Sequence, residues 1–232
     1  MHRNLSLALV CGLGIALAFP PLELGFLAYW CLIPFLLLIE NKGLFDSFRW
    51  GYITGLFLSV TTLYWIVWPT IPGAIATILI HPLYYAVFAL AVAITRRVWS
   101  QGYLILVPFL WTAIEYLKSL SEVGFPWVTL GYTQSYYLHL IQFASITSVY
   151  GVSFWVVCLN VIFLLMWQHR EESRWLIGCG ATLVVLFAAP YLYGLAVIPA
   201  PAKVDEPAGR EVSRPASIDE LRVTLVQGNI DP

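Results

Sequence analysis

Ser145 to Trp167 reads S-I-T-S-V-Y-G-V-S-F-W-V-V-C-L-N-V-I-F-L-L-M-W, 23 residues without a charge. A helix needs about 20 mostly apolar residues to cross the hydrocarbon core of a bilayer. This stretch is therefore read as a transmembrane span. On its N-terminal side lies a polar and aromatic connection, Gly124 to Ala144, carrying Trp127, Tyr132, Gln134, His139 and Gln142. Beyond that connection the apolar pattern resumes in both directions. Expected spans are Leu5–Phe19, Leu24–Ile39, Trp50–Trp68, Gly73–Thr95, Gly102–Leu117, Ser145–Trp167 and Trp175–Val197. Prolines fall inside several of them. Such prolines imply kinks, tolerated where neighbouring helices satisfy the freed carbonyls.

Composition agrees. Hydrophobic residues make up 60 % of the 232 and charged residues 11 %, where a soluble domain carries about 25 % charge. The expected fold class is thus an all-α polytopic membrane protein. The formal net charge of −1 gives no support to nucleic-acid binding. His2 and Arg3 before an apolar run imitate a secretory signal, but the further spans favour a retained first helix. Lysine and arginine set the orientation. Arg3, Lys42, Arg49, Arg96, Arg97, Arg170 and Arg174 fall on one side, and Lys118 alone among the short loops of the other. This predicts a cytoplasmic N-terminus, an outward-facing 124–144 loop and an outward-facing tail. Trp30, Trp65, Trp68, Trp99, Trp127, Trp167 and Trp175 mostly lie near span ends, as an interfacial belt does.

The domain boundaries read as 1–198 for the membrane domain, 199–220 for a proline-rich polar linker and 221–232 for the start of a second domain. Leu221–Gln227 alternates and predicts a strand. One strand makes no stable sheet. The expectation is that the chain stops where an α/β domain begins, as a fragment or an interrupted gene.

Candidate chemistry is sparse. Cys11, Cys31, Cys158 and Cys179 sit in apolar runs and read as small core residues. No histidine or cysteine has a partner at metal-ligand spacing, and neither cofactor nor metal is expected. Glu115 lies near the outer end of the fifth span. A carboxylate at membrane depth is a functional candidate; alternatively it pairs with Lys118, three residues on along the same helix face. His81, before Pro82, reads as an interhelical hydrogen-bonding group. Trp127, Tyr132, Tyr136 and Tyr137 are either interfacial anchors or a cleft wall. Gln134 and Gln142 need hydrogen-bond partners near a bilayer. Gly12, Gly14, Gly51 and Gly55 read as close-packing positions rather than phosphate binders.

Six motifs in order carry a resemblance. They are Leu17-Ala18-Phe19-Pro20-Pro21, Trp111-Thr112-Ala113-Ile114-Glu115-Tyr116-Leu117-Lys118, and Gly124-Phe125-Pro126-Trp127. Then come Leu130-Gly131-Tyr132-Thr133-Gln134, Tyr150-Gly151-Val152-Ser153-Phe154, and Val226-Gln227-Gly228-Asn229-Ile230. Over essentially its whole length the chain resembles the membrane half of apolipoprotein N-acyltransferases. The resemblance implies a bacterial inner-membrane protein with a nitrilase-like domain on the periplasmic side, carrying a Glu-Lys-Cys triad. The cysteine would take an acyl chain from a phospholipid as a thioester and pass it to the N-terminal diacylglyceryl-cysteine of a lipoprotein. That triad lies downstream of Gln227-Gly228-Asn229 and matches nothing here, so these 232 residues alone are expected to be inactive. The candidate lipid-cleft residues are Glu115, Trp127, Gly131, Tyr132, Gln134 and Gly151. A transporter or scaffold module is the reading from another class, and a separately encoded nitrilase-like subunit a third.

Overall fold

A computed structural model of the chain describes residues 2–120 and 126–198. The expected linker and strand, with Gly124 and Phe125, lie outside the described residues. Those described are helical, with no strand among them. The α-helices are α1 (His2–Ala18), α2 (Ile33–Ile39), α3 (Leu44–Leu63), α4 (Ile71–Ile80), α5 (Pro82–Val98), α6 (Tyr103–Ser119), α7 (Leu138–Ile141), α8 (Ala144–Gln168) and α9 (Ser173–Val197). Short 3-10 turns at Gly25–Tyr29, Tyr64–Val67, Pro126–Val128 and Leu130–Gln134 join them.

Among the described residues four runs are long and apolar enough to cross a membrane: Leu44–Val67, Ile71–Val98, Ala144–Gln168 and Ser173–Val197. They correspond to the third, fourth, sixth and seventh expected spans. α1 and α6 have 17 residues each, about 26 Å at 1.5 Å per residue, just short of a hydrocarbon core of about 30 Å. The second expected span is not one helix. It breaks into the Gly25–Tyr29 turn and α2, because Trp30 leaves helical geometry, at φ −138° and ψ −2°, and Pro34 lies in the first turn of α2.

The break is held from a distance. Asn160, fully buried in the middle of α8, accepts from the Leu32 N–H at 2.9 Å and donates to the Ala28 carbonyl at 2.7 Å. A helix interruption in an apolar bundle orphans backbone groups, and each must find a partner. One carboxamide presents both a donor and an acceptor. A second break is satisfied in the same manner. Pro190 inside α9 has no N–H for the carbonyl of Leu186, four residues back. The Trp155 indole of α8 donates to that carbonyl at 2.7 Å.

α8 is the axis of the core. Val152, Trp155, Val156, Val157, Leu159 and Leu164 are all buried. Its first turn is set off by Ser148, whose φ of 63° and ψ of 179° are non-helical. α9 is an outer helix whose buried residues are Cys179 and Gly194 alone. The fourth expected span is one 28-residue run jointed at His81-Pro82. There the imidazole Nδ1 lies 2.9 Å from Ser59 Oγ of α3. α3 and α5 approach most closely where glycines allow it. A Cβ on Gly51 would lie 2.6 Å from the Tyr85 carbonyl oxygen, and one on Gly55 2.8 Å from Pro82 Cα.

Candidate functional site

The loop read from sequence as a polar excursion is folded down onto the helices. α6 holds it by its last turns. Glu115 Oε1 accepts from the Leu130 N–H at 2.8 Å and from the Trp111 indole at 2.9 Å. Lys118 Nζ donates to the Val128 carbonyl at 2.9 Å. Both side chains are buried, at 4 % and 2 % exposure. The alternative that Glu115 and Lys118 pair with each other at the interface is corrected: no ion pair joins them among the described residues. Each side chain bonds a backbone group of the 126–134 segment instead. Those groups would otherwise be buried without partners.

From the other side, the segment closes against the chain after α1. Gln134 is fully buried and its amide donates to the Gly25 carbonyl at 2.8 Å and to Thr133 Oγ1 at 2.8 Å. Tyr136 donates to the Pro21 carbonyl at 3.3 Å, and the Tyr137 hydroxyl accepts from the Phe26 N–H at 3.3 Å. Gly131 donates its N–H to Ser153 Oγ of α8 at 2.8 Å, and a Cβ there would lie 2.6 Å from the Val149 carbonyl oxygen. Only glycine fits that approach. Gly151 stands about two turns into α8, and a Cβ on it would meet the Thr147 side chain.

Trp127 and Tyr132 point outward. Trp127 is 59 % exposed and packs against Trp65 in a tilted pair, with ring centroids 4.9 Å apart and planes at 31°. This pair forms one wall of a groove of about 610 Å³, within the range of small-molecule sites. The other walls are the end of α1 (Leu13, Ala16, Leu17), the Phe19-Pro20-Pro21-Leu22 stretch, and the end of α3 with its 3-10 turn. Thr61 and Thr62 line it, yet their hydroxyls turn back to the Phe57 and Leu58 carbonyls at 2.7 to 3.0 Å. Those two hydroxyls are thereby partnered within α3, and the lining as a whole is mixed, more apolar than polar.

Of the six candidate residues, Trp127 lines this groove. Glu115, Gly131 and Gln134 do not line it and anchor the 126–134 segment instead, Tyr132 is half exposed, and Gly151 lies within α8. Sequence reasoning missed Leu13, Ala16, Thr61 and Thr62. Nothing in a local pattern marks them, because the groove forms where two distant helix ends meet. Glu115 and Lys118 also line a much smaller cavity of about 10 Å³, with Tyr84, Tyr85, Phe88, Trp111 and Ile114.

Comparison with known proteins agrees with this assembly. A family model described as the apolipoprotein N-acyltransferase N-terminal domain matches residues 11–162. The apolipoprotein N-acyltransferase of Chlorobaculum tepidum is 30 % identical over 241 residues, covering 100 % of this chain and 42 % of that protein. That of Geobacter metallireducens is 32 % identical over 243 residues, covering 99 % of this chain and 44 % of its own length. Apolipoprotein N-acyltransferase 1 of Treponema denticola is 35 % identical over 159 residues, 66 % of this chain and 29 % of its own. The chain spans less than half the length of each of these curated relatives. With a match over residues 11–162 that takes in the groove and the segment folded over it, the chain belongs to the apolipoprotein N-acyltransferase N-terminal domain family.

Proposed function

We propose that this chain is the membrane portion of an enzyme that moves an acyl chain from a phospholipid to the N-terminal diacylglyceryl-cysteine of lipoproteins, in the bacterial inner membrane. The observation that carries the reading is the mainly apolar groove walled by Trp65 and Trp127. In this reading the groove receives an acyl chain, and a nitrilase-like domain bearing the nucleophile works above it. Glu115, Gly131, Tyr132, Gln134 and Gly151 shape and back that cleft. None of them is the nucleophile.

The assay is transfer from labelled phosphatidylethanolamine to a diacylglyceryl-cysteine peptide in proteoliposomes. The 232-residue polypeptide alone is expected to form neither thioester nor triacylated product; product from it would overturn the division of labour. With a nitrilase-like domain supplied, product is expected, and its absence would overturn the reading. In that active assembly, Ala16→Trp fills the groove. Displacing about two methylene groups forfeits about 1.6 kcal/mol of burial, about a tenfold loss of transfer. Trp127→Ala is expected to lower transfer more than it lowers the amount of folded protein. An equal fall in both would make Trp127 purely structural.

We also propose seven crossings, with α1, the interrupted 25–39 segment and α6 completing the four long helices. The N-terminus is then cytoplasmic, and the 126–142 segment and the tail are periplasmic. Single cysteines placed at Glu171 and at Ser135 are expected to label from opposite sides of intact cells. Labelling of both by a membrane-impermeant reagent would reject the topology.

A further inference from the structure

The grip of α6 on the 126–134 segment is unusual in its chemistry. Two buried ionisable groups one helical turn apart are costly in an apolar bundle, and Glu115 and Lys118 are not in direct ion-pair contact. Each is committed to one end of a 3-10 turn. The Leu130 N–H opens the Leu130–Gln134 turn and has no partner within it, and Glu115 accepts from it. The Val128 carbonyl closes the Pro126–Val128 turn, and Lys118 donates to it. The polarity is right at each: an acceptor at the start of a turn and a donor at the end. Trp127 sits next to the gripped carbonyl, with its ring on Trp65.

We propose that Glu115 and Lys118 are positioning residues that act through the backbone of Val128 and Leu130 to hold the Trp127 ring against Trp65 at the wall of the groove. The inference rests on the reading of the groove as an acyl-chain site for its functional meaning, though not for its geometry. The staple has a direct spectroscopic signature. Tryptophans are replaced by 5-fluorotryptophan in the 232-residue chain in nanodiscs, and the Trp127 fluorine line is assigned with Trp127→Phe. In wild type it is expected as one line, shifted by the Trp65 ring.

In Glu115→Ala that line is expected to broaden or split and lose its shift, while the lines of buried Trp50 and Trp155 stay in place. Glu115→Gln keeps an acceptor oxygen for Leu130 and Trp111 and is expected to retain the single Trp127 line. An unchanged Trp127 line in Glu115→Ala overturns the proposal. So does equal loss in the alanine and glutamine variants, since a retained acceptor would then hold nothing. Should Glu115→Ala lose every line through unfolding, Lys118→Met decides: it releases the same segment from its other end, and an unchanged Trp127 line there refutes the staple. If the lines behave as expected and transfer never appears with a catalytic domain supplied, the staple stands and the lipid reading of the groove falls.

Discussion

Gly51→Leu is expected to prevent α3 and α5 from packing and to leave little folded protein in detergent extracts. Even the alanine variant should lower the thermal midpoint. Two effects oppose each other in Gly51→Ala. Helix propensity favours alanine over glycine by about 1 kcal/mol. Against that, the new Cβ would lie 2.6 Å from the Tyr85 carbonyl oxygen, 2.7 Å from Ala89 Cβ and 2.8 Å from Ala86 Cα. Overpacking costs about 1–3 kcal/mol where side chains can move aside. Here a neighbouring backbone cannot rotate away, so the clash wins. Gly178 of α9 is the internal control, because a Cβ added there would meet nothing within 4 Å. Gly178→Ala should be neutral or slightly stabilising. Thermal unfolding followed by size-exclusion fluorescence checks the pair. A Gly51→Ala variant as stable as Gly178→Ala would show that the two helices do not pack as described.

Asn160→Leu carries the other large effect. It removes the partners of the Leu32 N–H and the Ala28 carbonyl at a fully buried site. Each buried backbone group left unpaired costs about 1–3 kcal/mol, so the loss is about 2–6 kcal/mol. Side-chain hydrogen bonds between membrane helices average only about 0.6 kcal/mol, because released groups find other partners. That relief is not open to Ala28 and Leu32. Their groups are orphaned by the turn at Trp30 to Leu32, and only remaking the interrupted segment as a continuous helix would pair them. Asn160→Asp keeps an acceptor for Leu32 but loses the amide donor for Ala28 and places an ionisable carboxyl at a fully buried site, so it should not restore the wild-type midpoint. An Asn160→Leu variant with an unshifted midpoint would remove the asparagine from the architecture.

The same two residues divide what sequence makes legible from what it does not. Gly51 and Gly55 are readable as close-packing positions, because a four-residue spacing puts both on one helix face. Spans three, four, six and seven are readable from hydropathy alone, since a bilayer sets a length that a run of apolar residues either meets or does not. His81 is readable as a hydrogen-bonding group because Pro82 breaks the helix beside it. Pro190 announces a freed carbonyl, though not that Trp155 would satisfy it.

Residues Leu24 to Ile39, by contrast, have the hydropathy of a span and the backbone of two pieces. The partner that makes the break tolerable is Asn160, 128 residues beyond Leu32, and no window along the chain contains both. An asparagine alone in an uncharged run is the one local signal, because it must bond to something. Glu115 and Lys118 show the same limit. Their spacing suggests an ion pair, and local geometry allows one. Tertiary structure decides otherwise, since two backbone groups of the 126–134 segment bond the two side chains instead.

Sequence by itself thus determined the class of the protein, the position of its long helices and its family. These depend on solvent transfer and on ordered motifs, which are local or additive along the chain. Only the tertiary structure decided where the second span breaks, which side chains grip the 126–134 segment, and where the groove lies. The groove forms between the end of α1, the end of α3 and Trp127, and which ends meet depends on how the whole bundle satisfies its buried backbone.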